Sequence, residues 1–170
     1  MRVRPAILAD AEAIRAMYNY EVLHTTATFD LVPRSLEDQQ AWLTARSGAF
    51  TALVAEDDDG TVLGFASLSP YKERAAYRTS VEDSVYVSRS AHGRGIGRLL
   101  VTEVLNVAEA HGFHAVMARI EASGAASRRL HAACGFELVG IEREIGRKFG
   151  RWLDVAVMQC ILHQRTSTAG

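Results

Sequence analysis

The stretch VYVSRSAHGRGIGRLL, residues 85–100, constrains this chain more than any other. A β-branched and aromatic run breaks into a loop with three glycines in five positions, Gly93, Gly95 and Gly97, and an apolar pattern of helical period follows. A strand that turns directly into a helix leaves the first N–H groups of the helix without partners, at the positive end of its dipole. Glycines let that backbone take positive φ and approach a ligand closely. Together these features make an anion site. Two nucleotide readings fail on spacing. A Walker A loop ends Gly-Lys-Ser/Thr, whereas Gly97 is followed by Arg98-Leu99; a dinucleotide fingerprint counted from Gly93 places Arg98 where its last glycine belongs. Arg89, Arg94 and Arg98 add positive charge around the loop, which points to a pyrophosphate rather than a bare turn.

The rest of the chain fits one domain. Its 170 residues suit a single core, and 48% hydrophobic content suits a globular α/β or α+β protein. A net charge of −1 gives no global field toward nucleic acid or acidic membranes. No 18-residue apolar run predicts a membrane span, and the N-terminus lacks the apolar segment of a signal peptide. Cys134 and Cys160 have no metal-ligand spacing and read as small core residues, so no metal is expected and a reducing cytoplasm is the expected location. The patterns predict strands at 2–5, in FTALVAE, VLGFASL, TSVEDSVYV, AVMARIE, ELVGIEREI and RWLDVAVMQCIL. Helices are expected after Asp10, after the Ser35/Asp38 capping pair, after the glycine loop as far as His111, and in ASRRLHAAC. Residues 1–163 are read as the domain and 164–170 as a disordered polar tail.

The glycine loop resembles the acyl-CoA motif of the GNAT superfamily of N-acetyltransferases, (Q/R)-x-x-G-x-(G/A), mapped onto His92-Gly93-Arg94-Gly95-Ile96-Gly97. His92 departs from the usual Gln or Arg. Downstream, ASRRLHAACGF is similar to the superfamily's second motif, with Gly124 where an Asn is common. Five blocks in order, YNYEVLHTTATFD, SPYKERAAY, VEDSVYVS, SRRLHAACGF and GRKFGRWLDV, resemble the phosphinothricin and methionine-sulfoximine N-acetyltransferases. The resemblance implies a mixed, mostly antiparallel central sheet flanked by helices on both faces. It also implies acetyl-CoA as cosubstrate, direct attack by the amine of a small amino acid, and a homodimer.

Residue roles follow from the same resemblance. The backbone of Val85, Tyr86 and Val87 would pair with the pantetheine arm as an added strand does. His92, Gly93, Arg94, Gly95, Ile96, Gly97 and Arg98 would take the pyrophosphate, with Ser127 a further cofactor contact. Glu82 aligns with the proposed base that takes a proton from the amine, and Asp83 competes with it. Strict alternation puts Glu82 on a face with Ser84 and Tyr86, and Asp83 on one with Val81 and Val85. His131 stands where many members carry the Tyr that protonates the leaving thiolate; a hydrogen-bonded structural histidine is the other reading. Phe29, Arg74, Tyr77 and Lys148 are the candidate substrate contacts, with Lys72, Arg78 and Trp152 nearby in sequence. Other acceptors within the fold would be a protein N-terminus or a polyamine, and a noncatalytic CoA-binding module is the reading outside enzymes.

Overall fold

In the computed structural model, which describes residues 1–165, seven strands form one sheet in the order β1-β2-β3-β4-β5-β7-β6. The strands are β1 Arg2–Pro5, β2 Leu53–Glu56, β3 Val62–Pro70, β4 Ser80–Val87, β5 Ala115–Glu121, β6 Glu137–Lys148 and β7 Arg151–Ile161. The helices are α1 Ala11–His24, α2 Leu36–Thr44, α3 Ile96–Ala110 and α4 Ala125–Ala133. Neighbouring strands are antiparallel except β4 and β5. The expected mixed sheet with helices on both faces is therefore observed.

Alternation along the strands sorts side chains to the two faces. Val54 and Phe65 meet Ile14, Tyr18 and Val22, which recur every four residues on α1. Leu53, Ala55, Ala66, Leu68, Val116, Ala118 and Ile120 pack on the other face against Leu100, Val101, Val104 and Leu105 of α3. The helix α3 lies close to the sheet at Gly64, where a Cβ would sit 2.9 Å from the Tyr86 carbonyl and 3.0 Å from Leu100 Cδ1. Helix α2 packs on α1, and its capping box forms as expected: Ser35 Oγ accepts from Asp38 N at 3.0 Å, and Ser35 N donates back to Asp38 Oδ2 at 3.2 Å.

Three local details differ from the sequence reading. Asp10 does not cap α1, because Arg4 and the Ile7 amide engage its carboxylate one turn earlier, around a 3₁₀ turn at Leu8–Asp10. The last hairpin is longer and tighter than expected: β6 runs on through Gly146-Arg147-Lys148, leaving Phe149-Gly150 as a two-residue turn with φ 53° and 72°. Positive φ at both positions suits the right-handed twist of the flanking strands. At the C-terminus, Gln164 closes a 3₁₀ turn and Arg165 donates to Asn106 Oδ1, so these two tail residues are placed. The remainder of the expected disordered tail, 166–170, lies outside the described residues.

Candidate active site

The site begins where β4 and β5 part. They pair only from Ser80↔Ala115 to Glu82↔Met117. Beyond that point β4 stays paired with β3 as far as Val87, and β5 stays paired with β7 as far as Glu121. Between them opens a cleft of about 850 Å³, lined by Glu82, Asp83, Ser84, Val85, Tyr86 and Val87 on one arm and by Ala118–Glu121 on the other. Parting frees one edge of β4, so its backbone groups there are available to an extended ligand.

A 3₁₀ turn at Arg89–Ala91 links β4 to the glycine loop. Gly93 and Gly95 sit at φ 76° and 79°, in the left-handed region that other residues resist. Gly97 serves packing instead: a Cβ there would lie 2.9 Å from Leu130 Cδ2 of α4. Leu99 N is the first amide of α3 with a carbonyl partner, Gly95, at 3.1 Å. Among the described residues, the amides of 93–98 donate to no protein acceptor. They cluster at the N-terminus of a 15-residue helix beside the cleft. Gly93, Gly95, Ile96, Gly97 and Arg98 line that cleft, while Arg94 does not. Ile96 is buried, so only its main chain faces a ligand. His92 lines the cleft and holds the loop to the end of β4, with Nε2 3.0 Å from the Val87 carbonyl.

Glu82 and His131 stand on opposite faces of the sheet, and both line the cleft. Glu82 is in register with Met117, whose neighbours Val116 and Ala118 pack toward α3, so Glu82 faces the α1 side. Burial raises the Glu82 carboxyl above the ordinary range; Arg119 opposes this, and the charges of Asp83 and Glu142 reinforce it. Asp83 points the other way, toward α4. There its Oδ2 lies 3.0 Å from His131 Nε2, and His131 Nδ1 lies 2.8 Å from the Ser127 carbonyl. Both residues are buried, His131 at 3% exposure and Asp83 at 6%. Burial alone would lower the His131 pKa; the hydrogen bond and charge of Asp83, helped by Ser127, outweigh it and raise the pKa. Asp83, the rival for the base, thus belongs to His131. The sequence signal was its place on a face with Val81 and Val85, where an acid needs a partner.

The α1 side of the cleft is walled by the loop after α1, Thr25–Phe29, with Glu21, Arg119, Glu121 and Ser123. Thr26 Oγ1 donates to Glu121 Oε2 at 2.9 Å across the cleft, and Arg119 pairs with Glu142 at 2.5 Å. Of these groups the sequence reading singled out only Phe29. The others sit in unremarkable loop and strand contexts, and only the fold gathers them. Ser127 lines the cleft at the start of α4. Arg74 and Tyr77 lie in the β3–β4 connection, where Tyr77 packs edge-on against Tyr71, and this chain does not bring them to the cleft lining. Lys148 is buried beneath the 25–29 loop and is not a cleft-lining residue.

Residues 14–136 match the model of the acetyltransferase (GNAT) family. The chain is 42% identical over 159 residues to a phosphinothricin N-acetyltransferase of Streptomyces coelicolor, covering 92% of this chain and 93% of that protein. It is also 42% identical over 158 residues to an L-methionine sulfoximine/L-methionine sulfone acetyltransferase of Pseudomonas paraeruginosa, covering 92% of each. The crystal structure of a GNAT superfamily phosphinothricin acetyltransferase from Sinorhizobium meliloti in complex with acetyl-CoA superposes with a TM-score of 0.91. It shares 39% identity and covers 98% of this chain and 91% of that one.

Proposed function

Because this chain belongs to the acetyltransferase (GNAT) family, we propose that it transfers acetyl from acetyl-CoA to the α-amino group of a small amino acid or analogue of the phosphinothricin or methionine sulfoximine type. One observation carries the reading. The parting of β4 from β5 opens a free strand edge that leads straight to a helix N-terminus with unpartnered amides.

These residues fit coenzyme A. The β4 edge at Val85–Val87 would pair with the pantetheine amides, and the amides of 93–98 with Arg98 would hold the pyrophosphate. When bound, the cosubstrate supplies an acetyl thioester in the gap. An α-ammonium has a pKa of about 7.7–8.0 and must lose a proton before its nitrogen can attack. Glu82, on the α1 face, accepts that proton directly or through water, and its raised pKa suits the task. On the α4 face, Asp83 and the Ser127 carbonyl orient His131 and raise its pKa, which suits it to give a proton to the departing thiolate. A thiol pKa near 8.5 makes that demand modest. Phe29 and the hydroxyls of Thr25, Thr26 and Thr28 wall the acceptor side. A homodimer is part of the proposal, supported by the exposed apolar residues Leu138, Val139, Ile141 and Ile145 on edge strand β6. Sedimentation velocity tests it, and a monomer would refute it.

A thiol-release assay with acetyl-CoA across amino acids, the two analogues, polyamines and short peptides tests the function. Turnover should be confined to the amino acids and analogues. Turnover of peptides or polyamines alone, or calorimetry showing no heat with coenzyme A, would overturn the reading.

A further inference from the structure

The loop that walls the acceptor side, Thr25–Phe29, has no regular structure of its own, yet it is held at several points. Tyr18 OH reaches Thr28 Oγ1 at 3.0 Å and Asp30 Oδ2 at 2.5 Å. The other anchor comes from 120 residues further along the chain. Lys148, at the end of β6, donates from Nζ to the Thr28 carbonyl at 2.7 Å and to the Glu21 carbonyl at 3.4 Å. The residue is 3% exposed, and among the described residues no carboxylate lies within salt-bridge distance of its ammonium. Burying an ammonium is costly unless its donors are engaged, and here main-chain oxygens of one loop and of the helix before it engage them. Burial lowers the Lys148 pKa, against the opposing charges of Asp30 and Glu21. The same hairpin seats the next side chain of the loop. A Cβ on Gly146 would lie 2.1 Å from Cε2 of Phe29, so the ring occupies the space that glycine leaves open.

We propose that Lys148 is a positioning residue that straps the 25–29 loop to the β6–β7 hairpin and so sets the affinity for the amine acceptor without touching it. The inference rests on the reading of that side of the cleft as the acceptor site. It replaces the sequence expectation that Lys148 meets the substrate, and the two roles differ in what they predict. A direct contact to an anionic acceptor group would make the loss on substitution depend on the acceptor's charge. A strap makes the loss the same for every acceptor.

The test uses the purified full chain with methionine sulfoximine, whose side-chain end is neutral, and phosphinothricin, whose phosphinate is anionic. Lys148→Met should raise the KM of both acceptors by the same factor, roughly ten- to hundredfold, the equivalent of one lost charge-assisted hydrogen bond. The Kd for acetyl-CoA should stay within about twofold, since the strap is outside the cofactor arm. Amide exchange across 25–30 should quicken while that of α3 stays unchanged. Lys148→Arg, which keeps the charge and the donors, should recover part of the KM. Unequal losses for the two acceptors, or unchanged exchange in the loop, would overturn the proposal. If Lys148→Met does not fold, Gly146→Ala loosens the strap from the other side by displacing Phe29, and it should give the same KM pattern. Should the wild-type chain acetylate neither analogue, the functional reading fails, while the exchange comparison still decides whether the strap exists.

Discussion

Asp83→Asn changes one atom type in the most buried charged contact of the site. His131 Nδ1 faces a carbonyl, Ser127 O, and so must carry a hydrogen. Its Nε2 faces Asp83 Oδ2 at 3.0 Å, and against an ionised carboxylate it needs a second hydrogen. The contact therefore favours the imidazolium over the neutral ring, in keeping with the raised pKa of His131. Asparagine can donate its amide hydrogen to a neutral Nε2, so the substitution keeps a hydrogen bond and removes the charge. Charge-assisted bonds contribute about 1.5–3 kcal/mol and neutral ones about 0.5–1.5 kcal/mol, so the variant should lose about 1–2 kcal/mol at pH 6. For a chain of this size that is roughly 2–8 °C in Tm. The sign with pH follows from linkage. A histidine whose folded pKa lies above its unfolded value of about 6.5 adds stability that is complete below that value and disappears as pH rises through the folded pKa. The deficit of Asp83→Asn should thus be largest at pH 6 and shrink toward pH 9. Urea unfolding at several pH values measures it, and an NMR titration of the His131 ring gives the pKa directly. An equal deficit at both ends of the range, or a ring that titrates below 6.5, would refute the imidazolium assignment.

Other outcomes follow from the same geometry. Glu82→Gln should lower kcat by about 10²–10⁴-fold while leaving the acetyl-CoA Kd unchanged. In the wild type, kcat/KM should fall as pH drops through a value above the ordinary carboxyl range, because burial holds the Glu82 proton on. A variant that turns over at the wild-type rate would remove Glu82 from the base role. Gly64→Val should cost about 1–3 kcal/mol and weaken acetyl-CoA binding, since its Cβ would press on a carbonyl and on Leu100, beneath the helix whose N-terminus bounds the cofactor arm. Gly140→Ala on β6, which meets nothing within 4 Å, is the control and should stay within about 0.5 kcal/mol of wild type in urea unfolding. Equal costs at the two glycines would contradict the close approach of α3.

Local pattern alone determined a good deal of this protein. The glycines at 93 and 95, the apolar period after them, the Ser35/Asp38 cap and the alternating strands are properties of a few consecutive residues. They encode backbone dihedrals and which side of an element is apolar. The same information marked Asp83 as an acid on an apolar face without naming its partner. Tertiary structure alone decided the rest. Where β4 and β5 part depends on the pairing of β5 with β7 and of β4 with β3, which no single strand records. Asp83 meets His131 across 48 residues, and Lys148 meets Thr28 across 120. The patterns around Arg74, Tyr77 and Lys148 show only cations and an aromatic ring suited to a binding site. The fold sends the first two to the β3–β4 connection and buries the third under a loop. The physical reason is common to all of these. A side chain's neighbours across the sheet are set by register and layer packing, which are sums over the whole core, whereas turns and caps are settled by the few residues that form them.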